Sequence, residues 1–292
     1  MPRAFTLFAP LLAALMAASG LRAAEPLAEV YRTAKEALEA GDAKKCAALL
    51  EARAADAQGD QRGALLFTLG VALLKLERPA DAEARLVEAA RLFAGTPQHA
   101  AAWALVGDAR AAQDRPGDAS AAYAEATKAA ASEPDSSIAR YSAARIAELE
   151  AAEFLLKGNA LSAVGKFRVA AGRSPERAPI VQARIAEIAG NRKLRGEATA
   201  AAVFALGEIE ERAGHLPEAI AYYQRVFVSW LKYPAWVAPA YLRAAECFDK
   251  LGRRKEAIAH VREMLRNAGR LKDRPELEEA RRRLREWTPP AP

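Results

Sequence analysis

The chain of 292 residues reads as an all-α protein of repeated helix hairpins, and two observations predict that class. Residues 214–226, GHLPEAIAYYQRV, and residues 252–264, GRRKEAIAHVREM, carry Glu-Ala-Ile-Ala at the same offset after a glycine, 38 residues apart. Periods of that size mark stacked supersecondary units. Composition gives the second observation. Alanine dominates, glycine and proline gather in short breaks, and no run of β-branched residues alternates with the period of two that a half-buried strand needs.

The repeated feature is a turn residue followed five positions later by a small side chain on a new helix. It recurs as Gly41 with Cys46, Glu77 with Ala82, Asp114 with Ala119, Gly158 with Ala163, Gly214 with Ala219, and Gly252 with Ala257. Four residues beyond each small one stands a larger residue: Leu50, Leu86, Tyr123, Phe167, Tyr223 and Val261. The preceding helices carry apolar–Gly pairs, Leu69-Gly70, Val106-Gly107 and Leu206-Gly207, with Leu66, Trp103 and Val203 three residues before each pair. Two antiparallel helices approach closely only where one presents Gly or Ala, and a larger residue one turn on fills the groove beside that contact.

The small positions lie 36, 37, 44, 56 and 38 residues apart. With these residues the chain resembles the tetratricopeptide repeat (TPR) family, whose 34-residue unit carries W-x2-L-G, A-x3-F and a closing Pro. WALVG at 103–107, ADAEARL at 80–86, and Pro97, Pro134, Pro175 and Pro234 at the repeat ends carry the resemblance, which covers roughly residues 26–270. Arg110 and Glu210 stand where the family prefers an aromatic. The resemblance implies a right-handed α-solenoid of about six TPR-like helix hairpins, each burying its apolar face only against its neighbours.

Taken in order, the hairpins are expected at 26–40 with 43–56, 60–76 with 79–93, 98–113 with 116–131, 137–157 with 160–172, 197–213 with 216–231, and 237–251 with 254–268. The long first helix of the fourth unit accounts for the spacing of 44. The spacing of 56 leaves room for an extra helix, APIVQARIAEIAG at 178–190, and the GNRKLRG segment makes 190–196 a candidate seam. PELEEARRRLREW at 275–287 has proline and acids in its first turn and arginines toward its end, which suits a capping helix and its dipole. The tail, 288–292, is expected to be disordered.

Residues 1–24, MPRAFTLFAPLLAALMAASGLRAA, carry Arg3 near the start and no acid. The run Phe5 to Ala18 is short for a bilayer span and has the length of a signal-peptide core, with cleavage expected after Ala24 or Gly20. No cysteine precedes position 46, so a lipid-attachment cysteine is missing and a periplasmic or otherwise exported protein is expected, with no transmembrane segment after cleavage. The formal charge is +6, of which Arg3 and Arg22 belong to the leader; a nearly balanced remainder gives no reason to expect nucleic acid. Cys46 and Cys247 read as two buried thiols, Cys46 standing in the small-residue slot itself.

No catalytic motif is present. GNALSAVGKF at 158–167 has the wrong spacing for a phosphate loop and lacks Ser or Thr after Lys166. His99, His215 and His260 have no partners at metal-ligand spacing, and no cofactor is expected. Two features rise above scaffold. Between Lys157 and Arg195 stand nine Lys or Arg and only two acids; Lys166, Arg173, Arg177, Arg184, Arg192, Lys193 and Arg195 could line an anion-binding surface. Eight aromatics fall within residues 222–248, and Trp230, Tyr233 and Trp236 lie around the loop LKYPAWVAP, where core spacing does not demand them. Such residues anchor partners, and they equally pack elbows between repeats. KYPAWVAPAYLRAAECFDKLG is also similar to repeats of periplasmic TPR proteins associated with envelope integrity and outer-membrane assembly. The expected function is therefore a non-catalytic scaffold or adaptor binding a protein or peptide of the bacterial cell envelope. The alternative is a module for an anionic envelope polymer such as peptidoglycan.

Overall fold

The computed structural model describes residues 25–131, 136–194, 196–271 and 274–288. The expected leader, Pro134, Arg195 and all of the tail but Thr288 lie outside these residues. The described residues form fifteen α-helices and no strand: α1 (Glu25–Glu39), α2 (Ala43–Glu51), α3 (Gly59–Lys75), α4 (Pro79–Leu92), α5 (Gln98–Ala111), α6 (Pro116–Ala129), α7 (Ser137–Leu156), α8 (Ala160–Arg173), α9 (Ala178–Gly190), α10 (Glu197–Ala213), α11 (Leu216–Ser229), α12 (Pro234–Lys250), α13 (Arg254–Arg266), α14 (Ala268–Leu271) and α15 (Glu276–Trp287). A short 3₁₀ turn, Pro175–Arg177, precedes α9. The chain forms two compact units, one ending at Leu149 and the other beginning at Glu150, so α7 belongs to both.

The six expected turns form, and one device closes all of them. Each turn residue named from the sequence has a left-handed backbone, with φ between 55 and 88°. At the first turn the Asp42 amide donates to the Ala37 carbonyl at 2.8 Å and the Gly41 amide to the Leu38 carbonyl at 3.2 Å. The same two bonds recur at 77–78, 114–115, 158–159, 214–215 and 252–253. This is the Schellman closure, which satisfies the last carbonyls of a helix. The residue that completes it (Asp42, Arg78, Arg115, Asn159, His215 or Arg253) is also the N-cap of the next helix. Its carbonyl accepts from the amide of the small residue, at 3.1 Å for Cys46 and 2.9 Å for Ala119. That shared residue is why the small position always follows the turn by five.

Cys46, Ala82, Ala119, Ala163, Ala219 and Ala257 are fully buried, as are Leu50, Leu86, Tyr123, Tyr223 and Val261. The apolar–Gly pairs meet the larger residue of the facing helix. A Cβ on Gly70 would lie 2.5 Å from Leu86, on Gly107 2.5 Å from Tyr123, and on Gly207 2.7 Å from Tyr223. Small residue, turn and large residue thus form one local packing unit.

In the first unit α1 to α6 pack each on the next, over a core that includes Leu38, Leu66, Leu69 and Leu105. Arg110 and Glu210, the two departures from the family pattern, make polar links in place of an aromatic contact. Arg110 Nε donates to Glu83 at 2.8 Å, and Glu210 accepts from Gln182 at 2.6 Å. In the second unit α8, α9 and α10 pack on one another, so the extra helix sits against both of its sequence neighbours. The 190–196 segment consequently lies inside this unit, while the division of the chain falls at 149/150. α15 packs on α12 and α13 and buries Leu277, Ala280 and Trp287. Its arginines pair with acids of the same helix, Arg282 with Glu279 and Glu286, and Arg283 reaches Glu246 at 3.2 Å.

Both cysteines are free and buried. Burial pushes the Cys46 thiol up to about 11 and the Cys247 thiol to about 12. Their burial is what the sequence reading expects, and such thiols are poor nucleophiles.

Candidate functional site

One residue from each of the two features that stood out in the sequence, Arg192 and Trp230, borders a common cleft in the second unit. The segment between α9 and α10 begins with Asn191, whose Oδ1 accepts from the Lys193 amide at 3.0 Å. It ends at Gly196, with φ 129° and ψ −141°, a conformation that a side chain would strain. The Thr199 hydroxyl donates to the Leu194 carbonyl and ties this segment to the first turn of α10. The aromatic loop packs on it from the other side, because a Cβ on Gly196 would lie 2.9 Å from the Tyr233 hydroxyl.

Between the segment and the end of α11 lies an open cleft of about 390 Å³, lined among others by Asn191, Arg192, Gly196, Thr199, Arg225 and Trp230. Trp230 is half-buried, and the Arg225 guanidinium lies 5.9 Å from its ring centroid, within cation–π reach. Arg192 and Arg225 are both exposed and make no ion pair with a described carboxylate.

The other aromatics of the loop do different work. Trp236 packs 5.8 Å from the Phe204 ring, donates from Nε1 to Glu197 at 3.2 Å, and has the Arg168 guanidinium 5.4 Å from its centroid. Arg168 is held by two bonds to the buried Glu208, at 2.6 and 2.9 Å. Trp236 is therefore part of the wall between α8, α10 and α12. Tyr233 is half-buried against Gly196, with Lys232 over its ring at 5.0 Å. Of the three aromatics named from the sequence, Trp230 is the one that borders the cleft.

The basic stretch is dispersed by the fold. Arg177, expected on a surface, is only 4% exposed, because the 3₁₀ turn at Pro175–Arg177 directs it inward. It is removed from the candidate surface. Lys166 pairs with Glu150 at 2.7 Å and Arg184 with Glu187 at 3.3 Å. Arg173 and Lys193 are exposed, and Arg192 alone of the stretch borders the cleft among the described residues. The sequence reading missed Arg225 and Thr199. The usable signal for Arg225 was its place one turn and a half before Trp230 on a helix that ends there.

A second polar cluster lies in the first unit. Asp108 accepts from Tyr123 at 2.6 Å and from Tyr141 at 2.8 Å, and Arg145 donates to Tyr123 at 3.0 Å and to Glu148 at 2.9 Å. Burial and the neighbouring Asp108 carboxylate push the Tyr123 phenol well above its ordinary value, so it stays protonated and donating. The equivalent set in the second unit joins Tyr223, Arg243 and Lys250 to Glu211, at 2.9, 3.2 and 2.7 Å. Each set includes the tyrosine that fills the glycine groove of its hairpin, Tyr123 or Tyr223, and ties that hairpin to the next helix through Tyr141 and Arg145 or through Arg243 and Lys250. No group of three or more His, Cys, Asp or Glu among the described residues could hold a metal ion. No described helix is long and apolar enough to cross a membrane.

The architecture is that of TPR-like helix hairpins. It rests on the six identical closures and the glycine contacts above. No protein-family model matches the chain, and no curated protein matches it. Solved structures similar to it include a tetratricopeptide repeat protein from Parabacteroides merdae, at 11% identity over 90% of this chain and 99% of that one, with a TM-score of 0.39. Another is the TPR2AB domain of yeast Sti1 in complex with an HSP90 peptide, at 12% identity over 90% and 98% of the two chains, with a TM-score of 0.32. A third is a Podosopora anserina protein of nearly identical TPR-like repeats, at 16% identity over 69% and 92%, with a TM-score of 0.41.

Proposed function

We propose that this chain is a non-catalytic scaffold of the bacterial cell envelope that binds a protein or peptide, with the cleft beside Trp230 as its contact point. The observation that carries the reading is Trp230 itself, half-buried on the wall of an open cleft while its neighbour Trp236 is committed to internal packing. Tryptophan is among the residue types enriched in binding hot spots. The envelope assignment rests on the leader-like residues 1–24 and on the similarity of the 232–252 stretch to periplasmic repeats.

The polymer alternative draws less support from the geometry. A charged chain needs a continuous basic track, and here Lys166 and Arg184 are neutralised by pairing while Arg177 is buried.

Two measurements test the proposal. Intact mass and fractionation of the protein from its native host give export and cleavage after Ala24 or Gly20; full-length chain in the cytoplasm rejects the localisation. Immobilised mature chain and its Trp230→Ala variant are compared on envelope extract, with circular dichroism as the folding control. Loss of a specific partner in the variant supports the site, and equal capture by both proteins rejects it.

A further inference from the structure

The outer face of the fourth hairpin is apolar where the other hairpins are charged. Of the six exposed large apolar side chains among the described residues, four fall between 155 and 169, in the second unit: Leu155, Leu156, Leu161 and Val169. The repeat register sets them apart. Leu156, 90% exposed, stands two residues before the turn residue Gly158, where other hairpins carry Glu39, Lys75, Arg212 and Lys250. Leu161 stands three residues after the turn, at the place of Lys44 and Lys255. Val169 stands eleven after it, at the place of Glu88, Glu125, Arg225 and Glu263. α8 is also the one second helix of a hairpin without an acidic residue.

Leu161, Gly165 and Val169 follow one another at intervals of four, which sets them in one line along the helix. Leu161 and Val169 are 37 and 46% exposed, and nothing lies within 4 Å of where a Cβ on Gly165 would stand. We propose that this line is a self-association surface, on which two copies of the chain pack α8 against α8, antiparallel, about a two-fold axis at Gly165. Leu161 and Val169 stand equally far from that axis, so Leu161 of each copy meets Val169 of the other. Such a self-complementary pair of contacts is what a two-fold interface requires. The axial position is small in every hairpin, with alanine at 48, 84, 121, 221 and 259, and backbones can approach there with either residue. What distinguishes α8 is an apolar side chain on both sides of it. Charge fits the same register. Arg173, exposed and in no ion pair among the described residues, comes to the hairpin tip of the second copy, where Glu153 holds Lys157 and is itself exposed. The line spans eight residues, about 12 Å, which is one helix crossing. So small an interface gives a weak dimer, with a dissociation constant of about 10–100 μM. The cleft beside Trp230 is built from other elements, and its reading stands or falls separately.

Sedimentation velocity of the mature chain, from low micromolar to near-millimolar concentration, should show monomer passing to dimer. Leu161→Lys and Val169→Glu should each raise the dissociation constant about tenfold or more, because a charge is then desolvated against an apolar side chain. Both changes install a residue that other hairpins carry at the same place, so the circular dichroism should not change. Gly165→Cys reads the orientation, since it sets two thiols on the axis. Oxidation with diamide should link the two copies of that variant, while Ala259→Cys, at the same repeat position on α13, should stay unlinked at equal concentration. Cys46 and Cys247 are buried and give a silent background. A monomer at every concentration overturns the proposal. So does a dimer that both charge variants leave intact, or one in which Gly165→Cys links no faster than Ala259→Cys.

Discussion

Replacing Gly207 with alanine should destabilise the second unit, and the same change at Gly165 should stabilise it. Both glycines are in helix interiors of that unit, α10 and α8. Alanine is favoured over glycine there by about 1 kcal/mol from backbone entropy alone. At Gly165 nothing lies within 4 Å of the new Cβ, so that gain stands unopposed. At Gly207 the Cβ would lie 2.7, 2.9 and 3.1 Å from Cε1, Cδ1 and Cζ of Tyr223. Carbon atoms are comfortable at roughly 3.5–4.0 Å, so the ring must retreat by nearly 1 Å. It has little freedom to do so, being fully buried, bonded to Glu211 at 2.9 Å and packed 5.4 Å from the Phe204 ring. Overpacking of this kind costs about 1–3 kcal/mol. The two variants should therefore differ by about 1–3 kcal/mol, with Gly165→Ala above the parent. Urea titration followed by circular dichroism gives both midpoints under one slope. A Gly207→Ala variant as stable as Gly165→Ala would refute the close contact between α10 and α11 on which the hairpin geometry rests.

Ala82→Leu, Ala119→Leu and Ala219→Leu add volume where two helices touch and should each cost about 1–3 kcal/mol in the same titration. Glu77→Gly should gain up to about 1 kcal/mol, because Glu77 holds φ at 58° without a glycine's freedom. Asp114→Gly should gain less, since aspartate tolerates that region better; thermal midpoints of the two variants check the order. Burial acts to raise the Glu211 pKa, but the bonds from Lys250 and Tyr223 and the nearby Arg243 outweigh it and hold the carboxyl below its ordinary 4.5. A lowered folded-state pKa contributes stability that is present above the unfolded value and lost as pH falls through the folded one. Glu211→Gln should therefore flatten the acid limb of the stability–pH profile, and an unchanged limb would show that this brace carries no linkage.

The hairpins were legible in the sequence because each is specified locally. A left-handed turn residue, a shared capping residue and a small residue five positions on all fall within one short stretch, so reading along the chain recovers them. The pairing of α9 was less legible, since it depends on the joint arrangement of α8 and α10. Arg177 misled for a related reason: a count of charges along residues 157–195 does not say which side of a 3₁₀ turn faces inward. Arg110 and Glu210 were visible as departures from the family pattern, but their partners Glu83 and Gln182 are 27 and 28 residues away. The cleft was half legible. Its aromatic and its arginine had each been singled out, yet only the fold brings residues 191–199 beside 225–230.

The residue that ends one helix and begins the next leaves no slack within a hairpin. Inserting or deleting a single residue there would break a cap on both sides at once, so the length varies elsewhere: in the long first helix of the fourth hairpin and at the joints between hairpins. The spacings record this: the turn-to-small interval is constant while the repeat length runs from 36 to 56. The longest of those joints acquired a whole helix, and the cleft opens beside it. Where the chain was free to grow by insertion, it also gained a surface that its regular repeats do not present.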